Sequence, residues 1–240
     1  MFDLHPPHEG IHSWKQYLLH MSTIVLGLLI AIGLEQSVEA VHRAHGRQEL
    51  RESLDRDSEQ AIRAAKGSED ADGPSVHWLN ERRLLVDSAL ATHKPLTAPL
   101  PRAPHVNSVQ PSDPAWNAAK SSGLLSLLTQ DEVQVYSLAD LLIAEAQTSF
   151  NEGVSAARKR GQFEFEHSEP ADIGKMDLSK ATPAELERYR DLLLDEATAW
   201  SQYRVVCEYI RGVETAILEG ERNIEKVENA KTRFYQGVIR

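Results

Sequence analysis

His8-Glu9-Gly10-Ile11-His12 is a literal H-E-x-x-H. On a helix those residue types would set two imidazoles on one face for zinc and leave the glutamate to activate water. Pro6 and Pro7 just upstream, and Gly10 inside the motif, oppose a helix there, and a terminal tail offers no cleft for a peptidase. A non-catalytic site is the better fit to these residues. His5, His8, His12 and His20 place four imidazoles within sixteen residues, and Glu35, Glu39 and His42 add donors beyond the next apolar stretch. Neutral imidazole suits a transition metal or haem iron. The competing reading is a set of polar side chains at a membrane headgroup layer.

Glu39-x-x-His42 and Glu164-x-x-His167 repeat the Glu-x-x-His pattern of di-iron bundles. With ten histidines in 240 residues such pairs arise by chance, and Glu164 lies in a mixed Gln-Phe-Glu-Phe-Glu-His segment of doubtful helicity. There is no Gly-rich phosphate loop and no nucleophile elbow around any serine, so the sequence assigns no catalytic residue. It calls for no cofactor beyond the alternative of a metal or haem. Cys207 is the only cysteine, which excludes an intrachain disulfide and a thiolate zinc site, and a buried apolar position explains it. Arg158-Lys159-Arg160 reads as a solvated helix end.

Stepping outward, 36 acidic residues against 26 basic give a net charge of −10, which repels a phosphate backbone and argues against nucleic acid as a partner. Residues 17–34, Tyr-Leu-Leu-His-Met-Ser-Thr-Ile-Val-Leu-Gly-Leu-Leu-Ile-Ala-Ile-Gly-Leu, carry no formal charge over eighteen positions. That is near the lower limit for crossing the hydrocarbon core as a helix. Trp14 and Tyr17 sit where amphipathic rings favour the interface. A cleaved signal peptide fits less well, because the upstream region is not basic and Glu35-Gln36 stands where a small-x-small site should be. A buried helix of a soluble core is the bland alternative. Thr23, Gly27 and Ala31 recur every four residues, a small-residue face on which a second helix could pack closely, although small residues are also simply common in membrane helices.

The flanking charges are Lys15 before this segment and Arg43, Arg47 and Arg51 after it, which taken alone places the C-terminal domain in the cytoplasm. Beyond it, a sparse apolar face carries helix through Ala65, a Gly/Asp/Glu-rich turn is expected over Gly67–Pro74, and a second helix over Ser75–Ala91. Six prolines between Pro95 and Pro114 mark an irregular crossover over 93–114. Asp113-Pro114 starts a short helix ended by Gly123. Thr129/Glu132 and Thr182/Glu185 are capping boxes for two long helices, the last running to Phe234 with Trp200, Tyr203 and Ile210 on its core stripe. No segment shows strand alternation.

Gly27-Leu28-Leu29-Ile30-Ala31 with Glu35 and Glu39, and Trp116 with Ser122-Gly123-Leu124, carry a resemblance. The chain resembles a group of uncharacterised bacterial single-pass membrane proteins with an N-terminal transmembrane helix and a helical domain of unknown function. The resemblance implies a soluble domain on the periplasmic side of the cytoplasmic membrane, opposite to the charge count. Those relatives often begin with a basic tail, where this chain has histidines.

The expectation is therefore an all-α protein: a His-rich tail over 1–15, a transmembrane helix over 16–36, and an elongated antiparallel, coiled-coil-like helical bundle over 37–240. Its expected function is a membrane-anchored interaction or scaffold protein, an accessory or oligomeric subunit without catalytic activity of its own. Its expected partners are membrane lipid, and a second copy or another membrane protein at the Thr23, Gly27, Ala31 face. The alternative function is metal or haem binding by His5, His8, His12, His20, Glu35, Glu39 and His42.

Overall fold

A computed structural model describes residues 14–96, 109–169 and 172–238. In chain order the elements are α1 (Trp14–Thr92), α2 (Pro114–Ser122), a 3₁₀ turn (Leu124–Leu127), α3 (Gln130–Glu166), β1 (Ser168–Glu169), β2 (Asp172–Met176), α4 (Pro183–Leu218) and α5 (Ile224–Val238). The protein is helical, as composition and periodicity require. The small antiparallel hairpin β1–β2, with Ser168 opposite Met176, corrects the expectation of no strand. Strands of two and five residues are too short to leave a readable alternation.

The chain divides into two compact units, Met1–Glu49 and Leu50–Arg240, and α1 contributes to both. Trp14 and Lys15 belong to this helix and not to the tail.

The largest correction is α1 itself. No turn interrupts it at Gly67–Pro74; Pro74 sits inside a continuous helix. Proline there removes one i to i−4 hydrogen bond, at about 3 kcal/mol in a helix interior. Burial decides the outcome. Ala61, Ala65 and Ser68 before the proline, and Val76, Leu79, Arg82, Val86 and Ala89 after it, are buried and keep threes-and-fours phase across the break. A turn would rotate the second half of that stripe into water, at roughly 1.5–3 kcal/mol for each large side chain lost.

Within the second unit, contacts fix the helix directions. Phe163 stacks on Tyr189 at 5.0 Å, and Phe150 meets Trp200 at 5.6 Å and Tyr203 at 5.5 Å, so α3 and α4 run antiparallel. Arg51 bonds Glu132 and Arg82 reaches Glu164, so the matching part of α1 runs parallel to α3. Two long parallel helices need a connection as long as themselves, and α2 and the 3₁₀ turn form part of it. Leu96 bridges Leu178 where it leaves α1, and the Val109 carbonyl accepts from Ser68 Oγ where it returns. Pro99, Pro101 and Pro104 lie outside the described residues.

Thr129 and Thr182 cap α3 and α4, each taking part in the reciprocal capping box read from sequence. Gly123 ends α2 in the left-handed region at φ 78°. The last helix does not run unbroken to Phe234. Gly220 at φ 85° ends α4, the Glu221 N–H turns back to the Ala216 carbonyl, and Asn223 Oδ1 accepts from Lys226 N to open α5. A left-handed glycine followed by an asparagine N-cap is a stop and a start.

Candidate functional site

The first unit contains the segment with the most unusual surface. The most apolar eighteen-residue window of α1 has a mean hydropathy of 2.1, and none of it is buried by the chain. Leu19, Leu26, Leu28, Leu29 and Leu34 are all exposed. Thr23 Oγ1 donates to the Leu19 carbonyl at 2.9 Å and Ser37 Oγ to that of Gly33 at 2.7 Å, so these hydroxyls are satisfied within the helix. Such back-bonding is what an environment without water demands. Nothing within 4 Å faces the position a Cβ would take at Gly27, leaving the Thr23, Gly27, Ala31 face open.

Of the metal-donor set, His5, His8 and His12 lie outside the described residues. His20 and Glu35 are both on α1, fifteen residues apart, about 22 Å along a helix at 1.5 Å per residue, so one chain cannot close them on one ion. Glu39 reaches Arg43 at 3.5 Å instead. Among the described residues no three His, Cys, Asp or Glu side chains gather closely enough to hold a metal. The di-iron pattern also finds its members otherwise engaged. Glu164 is helical, contrary to expectation, and accepts from Tyr189 Oη at 2.7 Å and from Arg160 Nη1 at 2.7 Å. His167 is the C-cap of α3 and stacks on Phe163 at 4.2 Å.

Arg160 is the other correction. It is not at a solvated helix end but buried, with Nε on Glu196 Oε2 at 2.5 Å. Arg82 and Arg160 lie over the Trp78 ring at 4.4 and 5.0 Å. Burial works against both charges. Glu196 and Glu164 more than offset it at Arg160, whose pKa is raised, while Arg82 is held below its ordinary value. Burial, then Glu164, pushes Tyr189 up as well. Two arginines and two glutamates balance in charge, and both oxygens of each carboxylate are engaged. The layer therefore registers three helices against one another.

A second polar group lies where α2 meets α1 and α3. Asp113 does not cap α2 by its side chain; Asp57 of α1 does, its Oδ2 accepting from Ala115 N at 2.7 Å and Trp116 N at 3.4 Å. Asp113 Oδ1 takes Asn117 Nδ2 at 2.6 Å, and Lys120 Nζ grips both oxygens of Asp140 at 3.0 and 2.9 Å. Burial, then the Asp140 carboxyl, pushes Asp113 up to about 6. Glu214 on α4, buried and bonded by Ser58, is pushed up to about 7 by burial.

Sequence reasoning missed Arg82, Glu196 and Glu214, though each left a signal. Each falls in phase within an apolar stripe: Arg82 between Leu79 and Val86, Glu196 between Leu193 and Trp200, Glu214 between Ile210 and Ile217. A charge on a buried seam announces a buried partner. Asp57 left none, because the N–H groups it serves lie far along the chain.

Two open grooves lie on the surface of the described residues. One of about 270 Å³ is lined by His93, Lys94, Lys180 and Ser179, beside the end of α1; His93 there takes φ 51°. One of about 450 Å³ runs along α3 and α4 beside Lys159, Asp195 and Gln202. Compared with protein-family models, with curated proteins and with solved structures, the chain gives no match.

Proposed function

We propose that the chain is a single-pass, membrane-anchored helical interaction protein, a scaffold or accessory subunit that meets partners through its membrane helix and its helical domain. The observation that carries this reading is the contrast between two parts of one chain. The apolar window of α1 is wholly uncovered, whereas the buried core begins only at Leu50. Leaving some ten large apolar side chains in water would cost on the order of 20 kcal/mol, more than a domain's whole stability. Lipid removes that cost, and the charge-free length suffices for it.

In this reading the domain after the anchor is an elongated helical bundle. The anchor stands in a bacterial cytoplasmic membrane with the bundle on the periplasmic side, as the family resemblance implies. The face of Thr23, Gly27 and Ala31 takes a second copy or another membrane subunit. The layer of Arg160, Glu164 and Glu196 supports an assembly role, since its charges are spent on one another in holding helices in register.

Sedimentation of the full-length protein tests the anchor. Recovery in the membrane pellet, resistance to an alkaline carbonate wash and release only by detergent support it; protein left in the supernatant of a high-speed spin without detergent overturns it. Cysteine crosslinking in membranes tests the face, with Gly27→Cys expected to link more strongly than Leu28→Cys.

A further inference from the structure

The second unit holds one arrangement that an inert scaffold does not explain. Asp113 is 9% exposed, and among the described residues no group donates a hydrogen bond to its Oδ2. Its neighbour is Asp140 of α3, another acceptor. A proton on Asp113 satisfies that oxygen by donating to Asp140, which keeps its own charge against Lys120.

We propose that the Asp113–Asp140 carboxyl pair is a proton-operated latch, which fastens helix α2 and the returning end of the crossover onto α1 and α3. The proton carries the link from α2 to α3, while Asp57 holds the α2 N-terminus to α1 whatever the state of Asp113. Charged and titratable groups face the latch from every side. They are Asp57 on α1, Lys120 on α2, Asp140 on α3 and Glu214 on α4. Among the described residues Lys120 is the cation that faces the pair, and Asp140 already holds it through both oxygens, so deprotonation of Asp113 adds a second buried charge beside Asp140.

The sign follows from the direction of the shift. Asp113 is raised from 3.8 to about 6 in the folded chain, so folding favours its protonated form. The latch's contribution is full below the ordinary value of 3.8, falls as pH rises above it, and is spent once pH passes about 6. A rise of about two units corresponds to at most roughly a hundredfold change in the opening equilibrium. The latch sits wholly in the second unit, so it does not depend on the membrane reading.

Hydrogen–deuterium exchange of the full-length protein in mild detergent reads it, comparing peptides from Pro114–Ser122 at pH 5 and pH 7.5 with times scaled for intrinsic exchange. Protection of α2 is expected to fall by up to about tenfold at the higher pH while α4 peptides hold. In Asp113→Asn the amide donates to Asp140 at any pH, so α2 is expected to stay protected at both. Glu214→Gln, which removes the other raised carboxyl, is expected to leave the α2 response in place. Should Asp113→Asn not fold, Asp140→Asn serves: without its neighbour's charge the midpoint moves toward the ordinary carboxylate range. A wild-type α2 with equal protection at both pH values overturns the latch. So does a response abolished by Glu214→Gln and untouched at Asp113.

Discussion

Gly153 lies against Trp200. A Cβ built there would stand 2.9 Å from three atoms of the indole, a buried ring with no flexible end to move aside. Gly161 lies on the same helix with nothing within 4 Å of the corresponding point. The same substitution should therefore have opposite signs at two sites on α3. Gly161→Ala gains helix propensity and is expected to stabilise by about 0.5–1 kcal/mol. Gly153→Ala gains the same propensity, but overpacking typically costs about 1–3 kcal/mol, and net destabilisation of about 1 kcal/mol or more is expected. Denaturant unfolding of the two variants beside the parent decides it, and equal effects would mean that α3 and α4 do not approach as closely as described. The close approach also explains the buried charges nearby. Where backbones come together around a small residue, an arginine on the same face, such as Arg160, has no path to water and must meet a carboxylate such as Glu196.

At the scale of the element, Pro74 separates two pictures of the first 92 residues. If α1 is continuous, Pro74→Ala restores a missing backbone hydrogen bond and removes the ring's clash with the preceding turn. After allowing for the greater freedom of the unfolded chain, a gain of about 1–2 kcal/mol is expected. If Gly67–Pro74 were a turn, losing a proline there would leave stability unchanged or lower it. Thermal unfolding of Pro74→Ala gives the answer by its sign. The sequence signs that proved readable were local ones whose partners lie within one turn, such as Thr129 with Glu132, Thr182 with Glu185, and the left-handed Gly123. The apolar seam of Tyr203, Ile210 and Ile217 was readable for the same reason, since one helix carries its whole period. The continuity of α1 was not, because turn-forming residues at 67–74 speak locally and the burial that overrides them comes from α3 and α4. The break at Gly220 was hidden by phase: Ile217, Ile224 and Val227 keep sevens and threes across it, so the period alone predicts an unbroken helix. Of the polar groups, the capping role of Asp57 depends on a residue 58 positions away, and no window of sequence contains both.

At the scale of the whole molecule, the core of the second unit is self-sufficient. Among the described residues every buried apolar one lies between Leu50 and Val227, and the compact unit they build begins at Leu50. A unit of that length falls within the ordinary range for one independently folding domain. The N-terminal segment supplies none of this core, so its removal should separate two properties that the full chain combines. A chain beginning at His45 keeps one helical turn ahead of Leu50 and retains Arg51, whose guanidinium holds Glu132 at 2.6 Å at the start of α3. It is expected to remain in the supernatant without detergent, keep a helical circular-dichroism spectrum and melt in one cooperative step, within a few degrees of the full-length protein in detergent. Aggregation or a gradual melt of the shortened chain would mean that the apolar segment belongs to the fold and not to a membrane. A cooperative, detergent-independent melt would mean that the chain uses its first unit to choose a place and its second to build a surface.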